Sequence, residues 1–195
     1  DEIEKNLDGI NKNKFLVAYA STFNGKTSEA GAYKAIEKNN KIADQKQANI
    51  TLAELKKASK TYLYLDAPRM RYDIDEVNSK RFQTLVETLG MFSAHQYKTV
   101  VVAMELKGYR LAAVNNVIQK LLNLHIRNIF ISQAVANTLE QFYPALAQKI
   151  YLNNFTEEEI ISEIEQKMTK GELLKNNFKN RQIITPNDKK ALRYI

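Results

Sequence analysis

The stretch Thr99-Val100-Val101-Val102-Ala103-Met104 decides the fold prediction. Its apolar residues occupy successive positions rather than alternate ones, which is typical of a strand buried on both faces of a parallel sheet. Four more runs of strand length share this character. They are Phe15-Leu16-Val17-Ala18-Tyr19-Ala20, Tyr62-Leu63-Tyr64-Leu65, Asn128-Ile129-Phe130-Ile131 and Lys149-Ile150-Tyr151-Leu152. The sequence therefore predicts about five buried strands.

Amphipathic segments of helical length separate these runs. Apolar residues recur at intervals of three and four over residues 28–38, 51–59, 74–94, 112–124, 135–147 and 156–168. Thr156 followed by three glutamates is a capping-box start, with acidic residues where the helix dipole favours them. Strands that alternate with helices predict an α/β fold, a mostly parallel β-sheet with helices on both faces.

Composition sets the boundaries of this prediction. The 195 residues are 44% hydrophobic, with 6 glycines, 3 prolines and no cysteine. This size suits a single domain over 1–195, with its core at 14–168 and polar, peripheral ends.

Without cysteine there is no disulfide framework, thiolate zinc site or cysteine nucleophile, and a cytoplasmic location is expected. No run approaches eighteen apolar residues, so we expect neither membrane insertion nor a secretory signal. The acidic start without Met suggests a domain taken from a longer chain.

The net charge leaves two interpretations open. Lys and Arg number 29 against 22 Asp and Glu, which gives a formal charge of +7. A basic surface could bind nucleic acid, but an AT-rich coding sequence also favours Lys and Asn. The densest basic residues lie in a polar tail over 170–195: Lys175, Lys179, Arg181, Lys189, Lys190 and Arg193.

The clearest chemical motif is Ala20-Ser21-Thr22-Phe23-Asn24-Gly25-Lys26-Thr27, which fits the relaxed phosphate-loop pattern. In such a loop, backbone amides from Asn24 to Thr27 hold phosphates, Lys26 reaches the terminal phosphates and the Thr27 hydroxyl ligates Mg²⁺. A phosphate loop usually has several glycines, and this one has only Gly25. An ordinary turn, or a loop that no longer binds, therefore remains the alternative.

Two acids could partner this loop. Asp66 and Glu105 each follow a predicted strand, and ligands of open α/β sheets lie at the carboxyl ends of strands. Asp66 would help to hold Mg²⁺ and Glu105 would orient the attacking water. Alternatively, Asp66 caps a turn and Glu105 is a surface acid paired with Lys107. Met104 stands where an acidic pair would have Asp, so hydrolysis is expected to be impaired.

Together these motifs resemble the motor domains of the FtsK/SpoIIIE group of P-loop NTPases, over about 14–160. The loop resembles the family's Walker A motif. The segment 64–70 resembles the strand that ends in Asp-Pro-Lys, or a relative of it, in the family. Gln133 matches the family's polar sensor residue. The lone glycine of the loop and Met104 depart from the family's catalytic residues. In this respect the chain is similar to the degenerate modules of the EssC/EccC ATPases of type VII secretion. The resemblance implies a RecA-like fold that binds ATP and Mg²⁺ through Ala20, Asn24, Gly25, Lys26, Thr27 and Asp66. Lys26, Glu105 and Gln133 would be the catalytic residues.

The same resemblance implies a place in a larger machine. The partners would be other domains or subunits of a translocation assembly, with a secreted protein or DNA as substrate, at the cytoplasmic face of a membrane. A ParA/MinD-type partitioning ATPase is the second family considered, although residues 21–24 lack the additional Lys typical of that loop. A third possibility is a non-catalytic interaction module that keeps the NTPase fold. His95 and His125 are expected to be structural.

Overall fold

The computed structural model describes residues 2–40, 44–71, 75–134 and 139–182, and within these residues the chain forms helices and no strand. The helices are α1 (Glu2–Asn6), α2 (Lys12–Asn24), α3 (Glu29–Asn40), α4 (Gln45–Asp66), α5 (Glu76–Met91), α6 (Lys98–Leu106), α7 (Leu111–His125), α8 (Phe142–Asn153), α9 (Glu157–Lys167) and α10 (Gly171–Asn180). A 3₁₀ turn spans Pro68–Met70, and a π-helical segment, Ile126–Ile131, follows α7 directly.

The predicted α/β fold is wrong, and α6 gives the physical reason. This nine-residue helix packs against α2, α4, α7 and α8, and Val100 to Met104 are completely inaccessible to solvent. A helix surrounded on all sides carries apolar residues all round, so its sequence loses the amphipathic period. A short continuous apolar run is then compatible with either a buried strand or a buried helix.

The other four predicted strands are also helical. Residues 15–20 lie in α2, 62–65 end α4, 128–131 belong to the π-helical segment, and 149–152 lie in α8. In α2 the helical signal is aromatic: Phe15, Tyr19 and Phe23 are four residues apart. Phe15 stacks on Tyr19 with ring centroids 6.4 Å apart, and Tyr19 meets the edge of Phe23 at 5.4 Å. Neighbours at this spacing share one face of a helix.

Several predicted helices are confirmed. The predictions at 28–38 and 112–124 correspond to α3 and α7, while 51–59 is the middle of the longer α4. Of the helix predicted at 74–94, residue 74 lies outside the described residues, and α5 ends at Met91. Thr156 caps α9 as predicted: its hydroxyl accepts from the Glu159 amide, and the Glu159 carboxylate accepts from the Thr156 amide at 2.7 Å. Of the helix predicted at 135–147, residues 135–138 lie outside the described residues, and α8 begins at Phe142.

The polar ends of the chain include two helices, since α1 and α10 form within them. Lys189, Lys190 and Arg193 of the basic tail lie outside the described residues, so the interpretation of that tail as a nucleic-acid surface remains a prediction.

This fold overturns the resemblance to the FtsK/SpoIIIE motors. A RecA-like NTPase places its phosphate loop between a parallel strand and a helix, whereas the described part of this chain has no sheet. The ParA/MinD alternative and an interaction module on an NTPase fold require the same sheet, so they are wrong for the same reason.

Candidate functional site

The predicted phosphate loop is the end of one helix and a tight turn into the next. Ala20 is inside α2 and fully buried, Asn24 is the last residue of α2, and Gly25 follows with φ of +70°. The Asn24 side-chain amide donates to Thr27 Oγ1 at 3.1 Å, and the Thr27 hydroxyl donates to the Gly25 carbonyl at 2.9 Å. Both hydrogen bonds join residues of the same turn, so the chain's own groups stabilise the turn between α2 and α3.

Lys26 and Thr27 nevertheless line a cleft of about 330 Å³. Its walls come from α2, α4, α6 and α8 and from the turns that precede α3, α6 and α8. Three lysines line it, Lys14, Lys26 and Lys98, and we call it the lysine cleft. Apolar atoms form most of its surface, as in most small-molecule sites.

Each lysine of the cleft has a different electrostatic setting. Lys26 is half exposed and pairs with Glu140 at 2.8 Å. Lys98 is buried, contacts the Asp66 carboxylate and lies 4.8 Å from the centre of the Tyr62 ring. Lys14 is exposed, and among the described residues no carboxylate lies within ion-pairing distance of it. Lys14 is therefore the cleft cation with capacity for an added anion.

The amino ends of three helices also meet at the lysine cleft. The cleft is lined at the start of α3 by Thr27 and Glu29, at the start of α6 by Lys98 and Thr99, and at the start of α8 by residues 140 and 144. The residues preceding α6 and α8 make no side-chain capping bond. At the start of α6 the Lys98 and Val100 amides already donate to the His95 and Tyr97 carbonyls, so what these helix starts offer a negative ligand is mainly their partial positive charge.

His95 lines the cleft as a neutral side chain. Burial lowers its pKa below the ordinary histidine value, and the nearby Lys98 and Lys14 lower it further, against an opposing effect of Asp66. Tyr62 faces the same hollow, and burial together with Asp66 raises its pKa to about 12. Near neutral pH, the cleft therefore offers ammonium groups beside an uncharged imidazole and a protonated phenol, and the side chains of Glu29 and Glu140 also line it.

The other two predicted catalytic residues lie elsewhere. Glu105 is near the carboxyl end of α6, seven residues and therefore about 10 Å along the helix from Lys98. It pairs with the buried Arg71 at 2.7 Å, not with Lys107, and the Arg71 guanidinium lies 4.6 Å from the centre of the Phe82 ring. Gln133 is exposed with φ of +51°, just after the π-helical segment. The structure thus does not bring Glu105 or Gln133 to the lysine cleft.

The predicted magnesium ligands are already engaged. Lys98 contacts one oxygen of the Asp66 carboxylate, and the Thr27 hydroxyl makes both of its hydrogen bonds within its own turn. In the described part of the chain, no three His, Asp or Glu side chains form a group that could hold a metal ion. The binding of ATP with Mg²⁺ remains an untested prediction, and nothing in the cleft's geometry adds support to it.

Sequence reasoning missed Lys14, Lys98 and the position of His95. These residues come from α2, α6 and the turn before α6, and they are separated by up to 84 positions, so no local motif links them. One signal was available at Lys98, which is a charged residue at the start of the most apolar run in the chain. A buried lysine of this kind needs a partner, and Asp66 is that partner.

Comparisons with known proteins give no assignment. No family model matches the chain, and neither curated proteins nor solved structures give a significant match. None of the helices in the described residues is both long and apolar enough to cross a membrane.

Proposed function

We propose that this helical protein binds a small anionic molecule in the lysine cleft. The observation that carries the proposal is the convergence of three lysines with three helix amino ends on one hollow. Lysine ammonium groups attract an anion by charge, and helix amino ends add a partial positive charge.

The residues have distinct parts in this binding. Lys14 supplies the ammonium that has no carboxylate partner within the described residues, and Lys98 lends part of its charge while it holds Asp66. Glu140 pairs with Lys26, so Lys26 has less charge to offer an anion than Lys14. The neutral His95 imidazole adds one donor without adding a charge.

Calorimetric titration tests the proposal, with inorganic phosphate and acetate as separate probes that distinguish a phosphate site from a carboxylate site. We expect saturable binding of at least one probe, weakened roughly tenfold or more in Lys14→Ala. Lys46→Ala is the matched control, because it removes the same charge from an exposed position outside the cleft.

The two variants separate site binding from general charge attraction. If Lys46→Ala weakens binding as much as Lys14→Ala, the anion is held by the net positive charge of the protein, and the proposal fails. Absence of saturable heat with both probes at low salt also overturns it.

A further inference from the structure

A second hollow lies against the lysine cleft, on the other side of two shared residues. His95 and Gln96 line both hollows, and both residues are exposed. The second hollow measures about 260 Å³. Its other lining residues include Ala94, Tyr97, His125, Ile129, Leu139 and Tyr143.

The walls of the second hollow are apolar and aromatic. Tyr97 and Tyr143 are almost completely buried, and burial is the main reason that their pKa values are raised, so both phenols stay uncharged. The His125 pKa is lowered mainly by burial, which keeps that imidazole neutral as well. The hollow therefore suits an uncharged group with flat faces, because rings pack well against rings.

A third hollow also borders the lysine cleft, but its chemistry differs. It is lined by His95 and Lys98 together with the carboxylates of Asp66 and Glu87. No carboxylate lines the second hollow. An uncharged ring fits the second hollow better than the third, because the third would place it against two carboxylates that need water or a polar partner.

We propose that the ligand of the lysine cleft is an aromatic anion. Its charged group lies beside Lys14 and Lys98, and its ring enters the second hollow past His95 and Gln96. The side chains of His95 and Gln96 are exposed, so they can turn aside without opening the core. This inference rests on the proposed function, because it specifies what the bound anion carries.

Methyl phosphate and phenyl phosphate test the inference, since they share the anionic group and differ in the ring. Calorimetric titration of the whole chain should show phenyl phosphate binding roughly tenfold or more tightly, as expected for burial of a phenyl group. Ile129→Trp, which fills the second hollow from a partly exposed position, should remove this advantage and leave methyl phosphate binding unchanged.

A spectroscopic measurement on the native chain covers the case in which Ile129→Trp does not fold. Phenyl phosphate should shift the His125 ring proton resonances through its ring current, and methyl phosphate should not. Equal affinity for the two phosphates, with both weakened in Lys14→Ala, would overturn the aromatic inference and leave the anion site standing. If neither phosphate binds, and acetate and benzoate do not bind either, both proposals fail.

Discussion

The Lys98 ammonium contacts the Asp66 carboxylate, and this contact joins the start of α6 to the end of α4. The two partners are unequally buried: the side chain of Lys98 is 10% exposed and that of Asp66 is 35% exposed. Lys98 would be costly to bury without a counter-charge, whereas Asp66 retains access to water. Asp66 therefore both stabilises the buried lysine and reduces the positive charge that reaches the cleft.

Asp66→Asn should separate these two effects. We expect the free energy of unfolding to fall by about 1–3 kcal/mol, because Lys98 keeps its charge and loses its counter-ion. Phosphate binding should tighten by roughly three- to tenfold, because the Lys98 charge is no longer shared. Urea unfolding and calorimetry measure the two quantities.

Glu87→Gln is the matched control for this change. Glu87 pairs with Arg69, whose side chain is 83% exposed, so the substitution should alter stability by less than about 0.5 kcal/mol. Weaker phosphate binding in Asp66→Asn would contradict the view that Asp66 competes with the ligand for Lys98.

Glu105→Gln should act on stability and not on the cleft. The pair between Glu105 and Arg71 is largely buried, so loss of the carboxylate should lower the free energy of unfolding by about 2–4 kcal/mol. Phosphate affinity should not change, because Glu105 is at the far end of α6 from Lys98. Urea unfolding measures the stability, and calorimetry measures the phosphate affinity.

The pair between Glu172 and Lys175 gives the control for Glu105. Both of its side chains are mostly exposed, so Glu172→Gln should leave stability within about 0.5 kcal/mol of the native value. A Glu105→Gln protein of native stability with impaired anion binding would show that Glu105 acts on the ligand after all.

The two histidines should respond differently to an anion. The lysines beside His95 help to lower its pKa, so bound sulfate, which offsets their charge, should raise that pKa. By linkage, sulfate should then bind more tightly as the pH falls through the pKa of His95. A pH titration of the histidine ring protons by NMR, with and without sulfate, measures the shift.

His125 is the internal control for this titration. It lines the second hollow and not the lysine cleft, and its pKa is lowered mainly by burial. Sulfate should leave its pKa unchanged. Equal shifts at both histidines would indicate general ionic screening rather than a site beside His95.

Gly25→Ala should destabilise the fold through the backbone. Gly25 has φ of +70°, and an added Cβ would lie 3.3 Å from the Gln148 side chain. An alanine at this helix end should lower the free energy of unfolding, measured with urea, by about 1 kcal/mol or more.

Gly90→Ala is the contrast, because Gly90 lies inside α5 with nothing within 4 Å of an added Cβ. That change should stabilise the protein by about 0.5–1 kcal/mol. A neutral Gly25→Ala would show that the turn adapts to a side chain.

The sequence predicted those helices whose signals are local. An amphipathic helix such as α7 shows its period because one face meets water, and the Thr156 capping box depends on residues three positions apart. Both features are complete within a few turns of chain, so no distant contact is needed to recognise them.

The sequence by itself determined that the run from Thr99 to Met104 would be buried, that α3, α5, α7 and α9 are helical, and that α9 begins after Thr156. Only the tertiary structure decided that Val100 to Met104 form a helix, because a segment enclosed on all sides loses the period that distinguishes helix from strand. Tertiary structure also decided the site. The three lysines of the cleft, Lys14, Lys26 and Lys98, lie together because α2, α3, α6 and α8 pack around one hollow. Their spacing along the chain does not predict that they line the same cleft.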